Sequence, residues 1–427
     1  VNTIKKYHFR YVIAVMMLVT IIINYLDRTI MSTAAPEIMS DLNITPAEMG
    51  LVMSSFFITY AIMQIPSGWI GDKIGQKICV GVSIVWWSIS TIAIACARSI
   101  TGLIGARLFM GFGESAVYPC NAGITAKWFP DHERGKVTAL YDSGSKFGTA
   151  FAMPLVAWFV MNYGWHMPFI IIGGIGIIWA IIWFFVYTDP ERSKFINAAE
   201  LKYIREHQAK KEGVDKSKPI KWYKLFKYRN VQSMCFGLFC YNYAMYFFVT
   251  WFPTYLVHDR GMQMMTMGWA AMVPPICGII GQYIGGWFTD YYYAKYNNLT
   301  LSRKISIVVG MLLGALIVFA SFIENNYLCI VLLCVCYAGM AGASSSQWSL
   351  PGDVAPRNMT SVLGGMQNCI SNIGGFLSPI ITGVIIGQYG NFSLALAICG
   401  GMCFIGALTY GCGLKEVKPI SIMPKEL

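Results

Sequence analysis

The sequence predicts an all-α membrane protein: twelve transmembrane helices in two pseudo-symmetric six-helix bundles. Three observations carry the prediction. Of 427 residues, 56% are hydrophobic and only 12% charged, where a typical soluble domain carries about 25% charged residues. Apolar runs long enough to cross a bilayer recur twelve times. A Gly-Trp-x-x-Asp core, Gly68 to Asp72, returns as Gly286 to Asp290, an offset of 218 residues, or about half the chain. Duplicated halves of this kind are a transporter architecture.

The twelve spans are expected near 11–36, 49–71, 78–97, 101–126, 135–160, 166–187, 230–256, 264–288, 304–323, 327–350, 359–387 and 391–413. The first has no small-residue cleavage site and is expected to stay as a membrane helix. Only one connection is long, the polar and basic stretch 188–229, with a helix expected around Asn197–Lys211. The domains are therefore an N-terminal bundle over 1–187, a cytoplasmic linker over 188–229, and a C-terminal bundle with its tail over 230–427. Pro274, Pro275 and Pro379 fall inside spans and are expected to break helices that neighbours must then support.

Charge placement sets the orientation. The net charge is +11. Of the 32 Lys and Arg, 27 fall on the side of the N-terminus and the central loop, and only Arg98 and Arg260 on the other. The positive-inside rule then puts both termini and the linker in the cytoplasm. Short loops on the opposite face suit a bacterial inner membrane. The basic charge is read as topological and as facing membrane lipid, so no nucleic acid partner is expected. The thirteen cysteines lie almost all in apolar runs without metal-ligand spacing, as small buried side chains do. No cofactor and no metal are expected. The chain has no P-loop, no His-Glu-x-x-His and no nucleophile elbow, and no enzyme is expected.

Six ionisable residues sit at membrane depth, all in the first half: Asp27, Arg28, Arg107, Glu114, Asp142 and Lys146. Each is costly on a lipid-facing helix, about 2.5–3.5 kcal/mol on insertion scales, so they are expected to face a cavity or one another. Arg28 offers a permanently charged fork that matches a carboxylate; a structural pair with Glu114 is the competing reading. Asp27 and Glu114 are the candidate proton carriers, with Arg107 a partner seven residues before Glu114 and on nearly the same helix face. A static network joining spans 1 and 4 is the alternative. Asp142 and Lys146 are four apart and can pair on one face. The second half offers uncharged polar groups instead, among them Asn242, Ser344 to Gln347, Gln367, Asn368 and Asn372.

Several motifs carry a resemblance. Gly68-Trp-Ile-Gly71-Asp72-Lys73-Ile-Gly75-Gln-Lys77 resembles the 2–3 loop signature of the major facilitator superfamily, and Arg107-Leu-Phe-Met-Gly111-Phe-Gly113-Glu114 its span 4 pattern. Asn24-Tyr25-Leu26-Asp27-Arg28, Gln64-Ile-Pro66-Ser-Gly68, Lys127-Trp-Phe-Pro130, Thr250-Trp-Phe-Pro253 and Gln347-Trp348-Ser349-Leu350 resemble its anion:cation symporter family, nearest the bacterial sugar-acid transporters of the galactonate and glucarate type.

The resemblance implies the major facilitator fold. It also implies a proton-coupled symporter that imports a small organic anion, a sugar acid (aldonate, uronate or aldarate), by alternating access, with a monomer expected. A dicarboxylate, sulfonate or aromatic carboxylate on the same fold stays open, as do exchange and sodium coupling. It implies substrate contacts at Arg28, Tyr25, Tyr60, Ser345, Gln347, Trp348 and Asn368, proton coupling at Asp27, Glu114 and Arg107, and gating at Gly68, Asp72 and Lys77. Asp290 is the gating candidate of the second copy, which has a longer insert before its basic pair. The chain departs from these relatives at Ser145 and Lys146, which stand where they carry a glutamine and an aromatic and are kept as substrate-contact candidates. If Lys146 meets substrate rather than Asp142, it points to a second anionic group.

Overall fold

The computed structural model describes residues 9–207, 222–356 and 359–420. Among them there is no strand. The first half comprises α1 (Phe9–Leu42), α2 (Pro46–Ile74), α3 (Gln76–Ala95), α4 (Ile100–Glu114), α5 (Val117–Trp128), α6 (Asp131–Tyr163) and α7 (His166–Val186). The central connection holds α8 (Ala198–Glu206). The second half comprises α9 (Arg229–Thr250), α10 (Phe252–His258), α11 (Met264–Tyr296), α12 (Leu299–Ala315), α13 (Asn326–Val354), α14 (Thr360–Tyr389) and α15 (Ser393–Leu408).

Nine helical segments among the described residues are long and apolar enough to cross a membrane. The other three expected spans are also helical. The fourth is split into α4 and α5 at Ser115–Ala116, and the seventh into α9 and α10 at Trp251. The fifth, α6, begins with the polar run Asp131 to Lys136 and carries Asp142 and Lys146. The ninth ends in a 3-10 turn, Leu316–Phe322, and the last in a π turn, Thr409–Gly413.

The helix ends follow local chemistry. Thr45 and Glu48 form a reciprocal cap on α2: the Thr45 amide donates to Glu48 Oε2 at 2.7 Å and the Glu48 amide to Thr45 Oγ1 at 3.3 Å. Ser99, Asn197 and Asn298 cap α4, α8 and α12 with side-chain oxygens. Gly75 separates α2 from α3 at φ +91°, a conformation that favours glycine.

The prolines do not break their helices. α11 runs unbroken through Pro274 and Pro275, and α14 through Pro379. A neighbouring helix packs on α14 at this point: the Trp251 indole N–H donates to the Pro379 carbonyl at 3.0 Å. The insert after Asp290 is mostly helical. α11 continues to Tyr296 and closes with Asn297 in the left-handed conformation, at φ +49°.

Two compact units emerge from the packing. The first comprises the described residues up to Ile30, Ser55–Ala152, and Phe159 onward into the central connection. The second comprises Met31–Ser54, Met153–Trp158 and the described residues after the central connection. In the first unit α2 and α4 cross at Gly111, where a Cβ would overlap the Phe56 carbonyl, and Thr59 Oγ1 donates to the Leu108 carbonyl at 2.7 Å. This close crossing brings Phe56 of α2 beside Arg107 of α4. In the second unit Ser54 Oγ donates to the Phe376 carbonyl at 2.8 Å. There, too, Thr289 of α11 bonds Ser346 of α13 at 3.0 Å.

Candidate functional site

The charged cluster of the first unit is assembled from α1, α2, α3 and α4. Asp27, Arg28, Arg107 and Glu114 are all buried, with Asp27 and Glu114 fully enclosed. Arg28 Nε donates to Glu114 Oε2 at 2.6 Å, with side chains only 5% and 0% exposed. The Arg28 guanidinium carbon lies 4.9 Å from the Tyr25 ring centre, 4.7 Å from Phe56 and 4.5 Å from Tyr60. An aromatic cage of this kind holds a cation by its quadrupoles. Tyr60 stacks on Phe56, with centres 5.3 Å apart. Tyr25, Arg28 and Tyr60 are among the substrate contacts that the resemblance implies, and the structure brings these three side chains together.

Arg107 also lies against Phe56, 4.9 Å from its ring centre, and its Nη1 approaches Met110 Sδ at 3.6 Å. The partner that hydrogen-bonds Glu114 is Arg28 of α1, across helices. The structural Arg28–Glu114 pair weighed from the sequence is present. Asp27 is in a different setting. Neither of its carboxylate oxygens has a hydrogen-bond partner among the described residues, and Thr91 and Trp87 of α3 flank it short of bonding geometry. Two buried acids thus stand side by side in unlike surroundings, one on a guanidinium and one without such a bond.

Asp142 and Lys146 are a second group, less enclosed. Lys146 Nζ lies 3.5 Å from Asp142 Oδ2, with side chains 12% and 38% exposed. Ser145 Oγ donates back to the Asp142 carbonyl at 2.7 Å. The i, i+4 pair anticipated from spacing is therefore formed.

The polar residues of the second unit are placed separately. Gln347 is fully buried, its side-chain amide atoms have no hydrogen-bond partner among the described residues, and its backbone carbonyl accepts from Gln367 Nε2 at 3.2 Å. Ser345 is half-buried and bonds the Gly342 carbonyl at 2.8 Å. Trp348, by contrast, is exposed. Asn368 is half-buried, and its Oδ1 accepts from Asn372 Nδ2 at 3.3 Å.

Among the gating candidates, Gly68 packs against Pro119, where a Cβ would come within 3.2 Å. Asp72 accepts from Gln76 Nε2 at 3.4 Å, and Gln76 Oε1 accepts from Lys127 at 2.6 Å. The Lys77 carbonyl accepts from the Trp183 indole at 3.1 Å. Asp290 is exposed at the polar end of α11. The ion pair formed near it is Arg303–Asp353, at 2.9 Å between α12 and α13.

Sequence reading missed Phe56, Trp87 and Thr91, which complete the charged cluster. Phe56 and Trp87 are two of many aromatics in apolar runs and carry no signal of their own. Thr91 is a polar break in α3 and is legible only with hindsight. Also missed was a buried triad at the start of α1. Arg10 binds Glu133 of α6 through Nε and Nη2, at 3.0 and 3.1 Å, and Glu200 of α8 through Nη1 at 3.1 Å. Glu200 also accepts the Phe9 and Arg10 amides at 3.0 and 3.2 Å, capping α1.

Residues 17–379 match the Major Facilitator Superfamily. The chain belongs to this superfamily. It is 34% identical to the D-galactonate transporter of Escherichia coli O6:H1, covering 98% of this chain and 99% of that one. It is 33% identical to the probable galactarate/D-glucarate transporter of Escherichia coli K12, covering 98% and 96%. Its fold is similar to the crystal structure of the D-xylose-proton symporter, with TM-score 0.74 at 13% identity over 96% of this chain and 98% of that one. The chain is thus a multi-pass membrane transporter and not an enzyme. Membership agrees with the fold read from hydropathy and the internal repeat.

Proposed function

We propose that this transporter is a proton-coupled symporter that carries a small organic anion, a sugar acid, by alternating access. The observation that carries the reading is the buried Arg28–Glu114 pair, 2.6 Å apart and ringed by Tyr25, Phe56 and Tyr60, with Asp27 next in sequence to Arg28. A substrate carboxylate fits the guanidinium fork as Glu114 does. When substrate takes Arg28, Glu114 loses its cation in a buried site and neutralises by taking a proton. Binding of the anion and of the proton are then linked by competition for one guanidinium. Asp27 is the second carrier, and Arg107 sets the local field. The tyrosine faces and hydroxyls suit a polyol chain. The galactonate and galactarate/glucarate relatives support the substrate class.

Ser345, Gln347, Trp348 and Asn368 are assigned to the substrate, and Gly68, Asp72, Lys77 and Asp290 to gating. Residues 1–187 and 230–427 are assigned as the two bundles, joined by 188–229. The positive-inside bias supports cytoplasmic termini in a bacterial inner membrane, and a monomer suffices for the scheme.

The second reading concerns valence. Lys146 already has Asp142 at 3.5 Å, which favours a monoanion such as an aldonate. The galactarate/glucarate relative favours a dianion, with Lys146 leaving Asp142 for the second carboxylate. The test is uptake into proteoliposomes driven by a pH gradient, with membrane potential set separately, against aldonates, uronates, aldarates and small sulfonates. Acidification of the lumen as one anion enters supports proton symport. No response to any of them, by protein shown to be folded, overturns the reading.

A further inference from the structure

The internal repeat preserves more than the Gly-Trp-x-x-Asp core. At the same offset of 218 residues, Ile62, Ile65 and Trp69 of α2 align with Ile280, Tyr283 and Trp287 of α11. All six side chains are strongly exposed, from 57% at Ile280 to 77% at Ile65. The spacing, three or four residues per step, puts each trio on one helix face. Both stripes end in a lysine. Lys73, one turn past Trp69, holds its Nζ 4.6 Å from that indole ring centre. In α11 the stripe continues through exposed Tyr291, whose ring stacks on Trp287 at 5.5 Å. It ends at Lys295, with Nζ 5.8 Å from the Tyr291 ring centre and 5.3 Å from Tyr296.

Along each helix the surface therefore passes from aliphatic to aromatic to cationic. The run from Ile62 to Lys73 is about 16 Å and that from Ile280 to Lys295 about 22 Å, at 1.5 Å per residue. These lengths match the passage from hydrocarbon through the aromatic belt to the headgroup layer. We propose that each stripe is a binding site for one anionic phospholipid, its acyl chain along the isoleucines, its glycerol region against the tryptophan, and its phosphate on the lysine. A zwitterionic lipid satisfies the apolar part but gains nothing from the cation. The charge makes the choice: at both ends the side chain that closes the stripe is a lysine lying over aromatic rings, a compact cation that places its head at the polar layer. The exposed acids Asp72 and Asp290 come three residues after Trp69 and Trp287, about 60° round the helix from them; Asp72 accepts from Gln76 Nε2 at 3.4 Å, whereas each lysine head lies against an aromatic ring of its stripe.

The test uses the full-length protein in phosphatidylcholine bilayers with brominated phosphatidylglycerol or brominated phosphatidylcholine as quencher. The Trp69 and Trp287 emission is isolated by difference against Trp69→Phe and Trp287→Phe. A lysine near an anionic surface is worth enough for a preference of about fivefold. Stronger quenching of both tryptophans by the brominated phosphatidylglycerol, by that factor, is expected. The preference falls to unity in Lys73→Gln at Trp69 and in Lys295→Gln at Trp287, while quenching by the zwitterionic lipid stays. Soluble glycerol phosphate at the same concentration does not compete, which separates a lipid site from a free-phosphate site. Equal quenching by the two lipids in the unmodified protein, or a preference that survives both lysine substitutions, overturns the proposal.

Discussion

Glu114→Gln separates the two roles of the charged cluster. The substitution keeps the volume and leaves an amide oxygen to accept from Arg28 Nε, but removes the charge. Its size follows from burial. The Arg28 and Glu114 side chains are 5% and 0% exposed, so the relevant regime is the buried pair and not the surface pair. Stripping a buried cation of its partner costs about 3–5 kcal/mol, where an exposed pair is worth about 0–1 kcal/mol. The amide recovers part of this through the retained hydrogen bond, so folding survives. Coupling does not survive, because the variant has no acid on Arg28 to load when substrate takes the guanidinium, and Asp27 does not share that guanidinium. One net charge moved across about 100 mV is worth about 2.3 kcal/mol, or roughly fiftyfold accumulation. The assay is paired: pH-gradient-driven uptake and substrate counterflow in the same proteoliposomes. Glu114→Gln is expected to bring active accumulation down to equilibration while counterflow continues. Full accumulation by the variant refutes the competition for Arg28 as the coupling device.

Four further outcomes are expected. Asp27→Asn abolishes pH-driven accumulation and leaves counterflow, and active accumulation at the normal level removes Asp27 from coupling. Lys146→Gln weakens uptake of dianions at least tenfold more than of monoanions if Lys146 meets substrate; an equal loss for both assigns it to the Asp142 pair. Gly111→Ala places a methyl against the Phe56 carbonyl and Thr59 Oγ1, and overpacking of this kind costs about 1–3 kcal/mol, read as a lowered unfolding temperature in detergent. Glu200→Ala removes the α1 cap and one arm of the Arg10 triad, so amide hydrogen exchange in α8 and the first turn of α1 accelerates at least tenfold, while an unchanged rate shows that the triad does not hold α8.

Much of this protein is legible in one dimension because the bilayer imposes a one-dimensional constraint. Hydrocarbon satisfies no backbone group, so a crossing is a helix or a barrel strand, and a continuous apolar run of about twenty residues has the length of a helix; twelve such runs with one long polar connection declare themselves. The cost of a charge in that setting makes Asp27, Arg28, Arg107 and Glu114 conspicuous, and four-residue spacing alone anticipates the Lys146–Asp142 pair. What tertiary structure decided is which groups meet. Whether Glu114 bonds Arg28 or Arg107 depends on how α1 and α4 approach, not on their spacing along the chain. That Phe56, Trp87 and Thr91 enclose the cluster depends on the crossing at Gly111 and on the position of α3. Pro274, Pro275 and Pro379 read as breaks, yet the packed helices hold their backbones in register. Arg10, Glu133 and Glu200 lie far apart in sequence, 123 and 190 residues from the arginine, and only folding makes one buried triad of them. Sequence fixes what each residue costs in the membrane; the cost is then met by partners whose identity depends on distances between helices, which no local pattern records.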